Sequence, residues 1–259
     1  MISAEIRDGQ ENVSRIAYLS PELSMGIHSS TTIKMCDVIN VFDVKRLGHG
    51  METWAIIPVK RLDEAKSSLG IALTPKQRRE LVLCMLTDVL NAVHNSRSIA
   101  GTAVVSPDEA VLNFARVNGA IGIAEPGVGL NEALKLAIEH TATKGTSSVL
   151  ILPSDLPLLR ASDIENIISL ASSPRDIVIA PSKDNGTNAL FLRPPDVMNL
   201  RFGGESFPVH LAEARGVGIS PHIYRSFNVE TDVDVVEDLS KVETHGIGTR
   251  TQNFLQSLR

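Results

Sequence analysis

The chain has 259 residues, 43% of them hydrophobic, enough for one large domain or two small ones around a substantial core. Its formal charge of -5 excludes a general attraction to nucleic acid or anionic lipid, so a polyanion site has to be a local basic patch and the partner a small molecule. Cys36 and Cys84 form no CxxC or Cys/His cluster, no apolar run nears the roughly 18 residues of a membrane span, and the N-terminus lacks the order of a signal peptide, so a cytoplasmic protein is expected.

Residues 1 to 50 are mixed and polar, with Ser-Ser-Thr-Thr at 29 to 32 and one short strand-like run, VINVFDV, at 38 to 44. Because Met51 directly precedes the first strongly patterned strand, this segment reads as an added arm of uncertain order or a start-site artefact. From Trp54 onward short apolar runs alternate with helical periods, the pattern of a mostly parallel sheet crossed over by helices on both faces. WAIIPV is the first strand. LVLCMLTDVLNAV follows as a helix whose Leu81, Met85, Val89 and Val93 form a core-facing stripe. GTAVVS is the second strand. Ser106, Pro107 and Glu109 then supply an N-cap, a first-turn proline and a capping-box acid for the helix DEAVLNFARVN, which Gly119 ends. LNEALKLAIEHTATKG predicts a helix, SVLIL a strand, and Ser162 with Glu165 a capped start for DIENIISLAS. DIVIAP and TNALFLRP read as strands, ESFPVHLAEARG as a helix ending at Gly216, and VDVVEDLSKVETHG as an acidic segment running into a helix. One α/β domain over 51–259 is expected, with a Pro/Gly-interrupted insertion around 193 to 208.

Ligands of open α/β sheets bind outside the carboxyl ends of the strands. Asp155, just past SVLIL, is placed to hold a divalent cation there, although Ser-Asp-x-Pro is equally ordinary turn chemistry. Asp232 and Asp234 stand two apart on an extended segment, so they project the same way and repel unless a cation lies between or beside them. A solvated acidic loop is the alternative. Glu237 and Asp238 fall at a helix entrance, where the dipole favours acids, and read as structural. Lys60, Arg61 and Lys66 follow the first strand on the same sheet edge and suit a triphosphate, although no Walker loop or GxGxxG accompanies them and a soluble charged loop fits as well. Gly186 and Thr187 precede a strand and Gly203, Gly204 and Ser206 precede a helix, an anion-nest pattern in which Ser206 is a hydroxyl donor or a plain N-cap. His210 and the other histidines lie in unrelated contexts and are expected on surfaces or in packing.

WAIIPVKRLDEAKSSL, LTPKQRRELVLCMLTDVL, GLNEAL, ILPSDLPLL, NGTNALFL, FGGESF and TDVDVVEDL occur in the order and spacing of the CofC-type guanylyltransferases, which the chain resembles over about residues 53 to 259. The resemblance implies a Rossmann-like, GT-A-like nucleotidyltransferase fold. It also implies transfer of GMP from GTP to 2-phospho-L-lactate, or to phosphoenolpyruvate in bacterial members, with release of pyrophosphate in deazaflavin coenzyme biosynthesis. By the same resemblance Asp155 and Asp232, with Asp234 beside the second, hold Mg2+, and Thr187, Gly203 and Ser206 hold the phosphorylated three-carbon acid. Lys60 and Lys66 face phosphates. Asn131 matches an asparagine near the nucleotide, or else caps the helix that follows it. NGTNALFL and THGIG are closer to archaeal members, which favours 2-phospho-L-lactate and a homodimer. Val235 and Val236 stand where the family usually carries Thr-Pro or Glu-Pro. The nearest alternative is a metal-dependent GT-A glycosyltransferase, because Asp-Val-Asp at 232 to 234 is a DxD; a non-catalytic nucleotide-binding regulator is the third.

Overall fold

The computed structural model describes residues 52–127 and 129–259, together with the backbone of residues 4–5 and 16–17. The strand expected at 38 to 44 lies outside the described residues. The chain divides into two units, Met1–Gly50 and Met51–Arg259. In the first, β1 (Ala4–Glu5) and β2 (Ile16–Ala17) pair antiparallel.

The second unit is organised around seven strands: β3 (Thr53–Pro58), β4 (Ile99–Ser106), β5 (Ile121–Ala124), β6 (Ser148–Ile151), β7 (Asp176–Pro181), β8 (Thr187–Arg193) and β9 (His222–Ile223). Their order is β5-β4-β3-β6-β8-β7-β9. β3, β4, β5 and β6 are mutually parallel, β9 is parallel to β7, and β8 runs antiparallel to both its neighbours. The expected mostly parallel sheet is therefore present with one reversed strand. All of β8 is buried, and a strand covered on both faces carries the same apolar run in either direction, which hid the reversal.

The helices are α1 (Pro75–Asn95), α2 (Glu109–Val117), α3 (Leu130–Ala142), α4 (Ala161–Leu170), α5 (Ser206–Gly216), α6 (Phe227–Glu230), α7 (Val236–His245) and α8 (Arg250–Ser257). Strand alternation distributes them over two faces. Ala55 and Ile57 of β3 join a core with the buried stripe Leu81, Met85, Val89 and Val93 of α1, Ile164 and Ile167 of α4, and Phe254 of α8. Ile56, between them in sequence, packs on the other side with Leu134 and Ala137 of α3 and Ala214 of α5.

Local capping corrects three expectations. α1 begins well before its apolar run, because Thr74 and Gln77 form a capping box ahead of Pro75. Ser106 is fully buried in β4, its Oγ accepting from Asp108 N at 3.1 Å, while Asp108 caps α2 by accepting from Ala110 N at 3.0 Å. Ser162 lies inside α4, where Asp163 Oδ2 accepts from Arg160 N at 3.1 Å and Glu165 Oε1 instead accepts from Arg97 N at 3.0 Å. β5, β9 and α8 are elements that the pattern does not announce.

From β3 the chain moves outward through α1 to β4 and through α2 to β5, then returns along α3 to the other side of β3 to form β6. Strand order reverses between β3 and β6. Such a switch point opens a crevice at the carboxyl ends of its two strands.

Candidate active site

Two chambers meet at that crevice. The larger, about 650 Å³, is lined by Lys60, Arg61 and Lys66 after β3, by Glu125 after β5, and by Pro153 to Asp155 after β6. The smaller, about 260 Å³, is lined by Thr187 of β8, by Gly203, Gly204 and Ser206 leading into α5, and by Asp232. Pro58, Leu130, Pro153, Asp155 and Asp234 line both. Asp155 and Asp234 thus stand on the seam and Asp232 on its smaller-chamber side, with the basic loop on one side and the glycine-rich turn on the other.

Val233 explains why the two acidic segments converge. Its side chain is fully buried and its N–H donates to the Asp155 carbonyl at 3.2 Å. On an extended backbone its neighbours Asp232 and Asp234 then face away from that core, and both line the smaller chamber. Lys66 closes the cluster, its Nζ donating to Asp155 Oδ2 at 2.5 Å and to Asp234 Oδ1 at 2.9 Å. It holds this place from a left-handed backbone conformation, φ 54°, a strained state that a non-glycine residue keeps only when its surroundings dictate it. Burial alone would lower the Lys66 pKa, but Asp155 and then Asp234 outweigh it and hold the ammonium above its ordinary range.

Lys183 is committed elsewhere. Its Nζ donates to Asp238 Oδ2 at 2.5 Å and to the Asp232 carbonyl at 3.1 Å, and stands 3.8 Å from Asp232 Oδ1. Asp238 also accepts from Asp234 N at 3.0 Å and from Val235 N at 3.1 Å, so this one carboxylate ties the turn that leads from Asp234 into α7. Burial works to raise the Asp238 pKa, but Lys183 foremost and the Asp234 amide next bring it below the usual range. Asp232 is left unbalanced: burial first, then Asp155 and Asp234, push it up to about 6, and its Oδ1 is buried without a hydrogen-bond partner.

Among the described residues no three His, Cys, Asp or Glu side chains form a ready-made metal cage. Mg2+ rarely uses one, being held by one or two carboxylates together with substrate phosphates. The orphaned Asp232 oxygen and the adjoining Asp155 fit that donor set, since a buried acceptor with no donor is what a cation satisfies.

In the smaller chamber Ser206 Oγ stands 3.2 Å from Thr187 Oγ1, and His210, one helical turn beyond Ser206, places Nδ1 2.9 Å from the same oxygen. His210 is fully buried, burial pushes it down to about 4, and its Nε2 accepts from Arg201 N at 3.1 Å. Sequence alone leaves His210 among surface or packing residues. It is buried, but both ring nitrogens are engaged; the available signal is the i,i+4 spacing of Ser206 and His210, which puts both on one helix face. Asn131 lines neither chamber. It is not the cap of α3, which is Gly129; instead its amide accepts from Phe202 N at 2.8 Å and donates to Phe202 O at 3.0 Å. Asn131 thereby anchors the turn in which Gly203 and Gly204 take φ of 129° and 49°, conformations that favour glycine.

Solved structures share this architecture. A structure described as a nucleotide-diphospho-sugar transferase from Desulfovibrio desulfuricans G20 superposes with a TM-score of 0.67 at 21% identity, covering 80% of this chain and 95% of that one. A cytidylyltransferase from Leptospira borgpetersenii gives 0.53 at 11% identity, covering 81% and 94%. At such identities the likeness shows the fold, a Rossmann-like nucleotidyltransferase fold. Sequence relatives are nearer. The phosphoenolpyruvate guanylyltransferase of Sphaerobacter thermophilus is 41% identical over 196 residues, 75% of this chain and 94% of that protein. The 2-phospho-L-lactate guanylyltransferase of Methanothermobacter thermautotrophicus is 42% identical over 210 residues, 81% of this chain and 92% of that protein. The family described as "Guanylyl transferase CofC like" matches residues 53–259, nearly all of the unit that carries both chambers. Fold, crevice and sequence therefore agree, and the chain belongs to the CofC-like guanylyl transferase family.

Proposed function

We propose that the protein transfers GMP from GTP to 2-phospho-L-lactate and releases pyrophosphate. The observation that carries this reading is the pair of unequal chambers sharing Asp155 and Asp234 as a common wall. A nucleoside triphosphate suits the larger chamber, its phosphates over Lys60, Arg61 and Lys66. The phosphorylated three-carbon acid suits the smaller one, against Thr187, Gly203 and Ser206.

The acceptor phosphate is already anionic at neutral pH, so it attacks the α-phosphorus without a general base. A P–O bond forms to the acceptor oxygen as the bond to the β-phosphate oxygen breaks, and pyrophosphate leaves with the electron pair. The obstacles are bringing two polyanions together and stabilising the charge that departs. Confinement in adjoining chambers addresses the first by orienting the acceptor oxygen toward the α-phosphorus. Lys66, with Lys60 lining the same chamber, supplies fixed positive charge where the leaving group develops its own. Asp155 and Asp232 are the residues that would hold Mg2+, which supplies Lewis-acid polarisation of phosphoryl oxygens when bound. Residues 51–259 form the catalytic domain in this reading, and the enzyme is a cytoplasmic homodimer. No helix among the described residues is long and apolar enough to cross a membrane.

Phosphoenolpyruvate is the second acceptor to consider, because a relative named for it is as similar as one named for 2-phospho-L-lactate. A pyrophosphate-release assay with GTP, Mg2+ and each acid, run beside Asp155→Asn, tests the proposal. Release with 2-phospho-L-lactate that Asp155→Asn abolishes supports it, and release with phosphoenolpyruvate alone reassigns the acceptor. Nucleoside diphosphate released from a nucleotide sugar would support the glycosyltransferase alternative, and GTP binding without any product the regulator.

A further inference from the structure

We infer that His210 is a positioning residue that sets the Thr187–Ser206 hydroxyl pair to donate a hydrogen bond into the smaller chamber, toward an anionic oxygen of the acceptor. The inference rests on the reading of that chamber as the acceptor site.

Counting protons fixes the direction of each hydrogen bond. A backbone amide can only donate, so the 3.1 Å contact from Arg201 N makes Nε2 the bare nitrogen of the ring. A fully buried imidazole with one nitrogen facing an N–H stays neutral, and its single proton is therefore on Nδ1. That proton is donated to Thr187 Oγ1, 2.9 Å away. Thr187 and Ser206 bring two hydroxyl protons, and their mutual contact at 3.2 Å uses one. The other has no acceptor within the triangle, and both residues line the chamber. The opposite tautomer would reverse the outcome. Thr187 would then donate to Nδ1 and Ser206 to Thr187, both protons would be consumed, and the chamber would present lone pairs that repel an anion. Arg201 N thus fixes the polarity of the wall through the ring. The orientation of the ring is fixed in turn by Phe202, edge-on at 4.7 Å between centroids and itself held by Asn131.

Two substitutions separate the nitrogens. His210→Gln puts an amide oxygen near the Nε2 position, keeping the acceptor for Arg201 N but losing the donor to Thr187; His210→Asn keeps the donor and loses that acceptor. Steady-state pyrophosphate release should show the acceptor KM of His210→Gln raised roughly tenfold to a hundredfold, the worth of one hydrogen bond to a charged group, with the GTP KM unchanged. His210→Asn should raise the acceptor KM several-fold less than His210→Gln does, while melting at a lower temperature. Nitrogen-15 NMR of histidine-labelled wild-type protein, with His210 identified by its loss in His210→Gln, should report a neutral ring protonated at Nδ1. An Nε2–H tautomer overturns the inference whatever the kinetics show, as does an acceptor KM untouched in His210→Gln or equally raised in both variants. A wild-type protein with the Nδ1–H tautomer that releases no pyrophosphate with either acid overturns the acceptor-site reading instead.

Discussion

Replacing Asp232 with Asn separates what the site does from what it costs the fold. Asp232 is 8% exposed, and its carboxyl rises from 3.8 to about 6 through burial first and then Asp155 and Asp234. Folding therefore favours the protonated form, so this group's stabilising contribution is complete below the unfolded pKa and is lost as pH rises through about 6. At roughly 1.36 kcal/mol per pKa unit the loss at pH 8 has an upper bound of about 3 kcal/mol. Water at the chamber mouth screens part of it, and Asp234, which burial would raise but Lys66 holds below its usual range, returns another part. About 1–2 kcal/mol remains after that discount. Asn fills the same space without the charge. In chelator at pH 8, Asp232→Asn should therefore melt about 2–8 °C above the wild type, at roughly 2–4 °C per kcal/mol for a domain of this size. At pH 5, between the unfolded and folded values, the difference should fall to roughly half, and it should approach zero only below pH 3.8. Thermal unfolding followed by circular dichroism measures both, and adding Mg2+ should raise the melting temperature of the wild type but not of the variant. A variant that melts below the wild type at pH 8, or above it by the same margin at both pH values, would refute the idea that this carboxylate is kept charged at the expense of stability.

Lys66→Met removes the ammonium shared by Asp155 and Asp234 and should lower pyrophosphate release by roughly a hundredfold, the usual effect of deleting one charge-stabilising donor; an activity loss below fivefold would remove Lys66 from the phosphate machinery. Asn131→Ala breaks both bonds to Phe202 and should cost about 1–3 kcal/mol in denaturant unfolding while raising the acceptor KM more than the GTP KM. A variant with the GTP KM alone raised would restore Asn131 as a nucleotide contact. Gly101→Ala drives a Cβ to 2.5 Å from the Trp54 ring across the β3–β4 pair and should destabilise by about 1–3 kcal/mol without selective effect on either KM.

Periodicity made much of the fold legible because the signals are local and repeated. Leu81, Met85, Val89 and Val93 face the core together, and β7 and β8 are buried along their whole length. The missed elements lack such repetition. β5 is four residues at a sheet edge with one buried position, and β9 is two residues. α8 is docked by Asp88, which accepts from Arg250 N at 2.7 Å and Thr251 N at 2.9 Å across more than 160 residues of chain, a pairing no window of sequence contains. The site divides along the same line. Asp155, Asp232 and Asp234 were readable because each ends an extended run at a place where a carboxylate has no structural need. His210 and the anchoring role of Asn131 were not, because their meaning depends on Thr187 and Phe202, which lie far away in sequence and come close only after folding.

The unequal treatment of the acids is the feature that ties architecture to chemistry. Asp155, Asp232, Asp234 and Asp238 share two close lysines, Lys66 and Lys183, and a fold that only minimised repulsion would place each lysine between the carboxylates with the greatest need. Lys66 does so for Asp155 and Asp234. Lys183 does not: it sits 2.5 Å from Asp238, which two backbone amides already stabilise, and 3.8 Å from the Asp232 oxygen that has no donor at all. Asp238 needs that lysine to hold the turn that projects Asp232 and Asp234 from Val233, so the cation is committed to geometry rather than to neutralisation. A rigid turn therefore carries one under-compensated carboxylate on the wall of the smaller chamber, beside the Asp155 and Asp234 that line both, an arrangement that disfavours the empty protein and would favour a positively charged occupant.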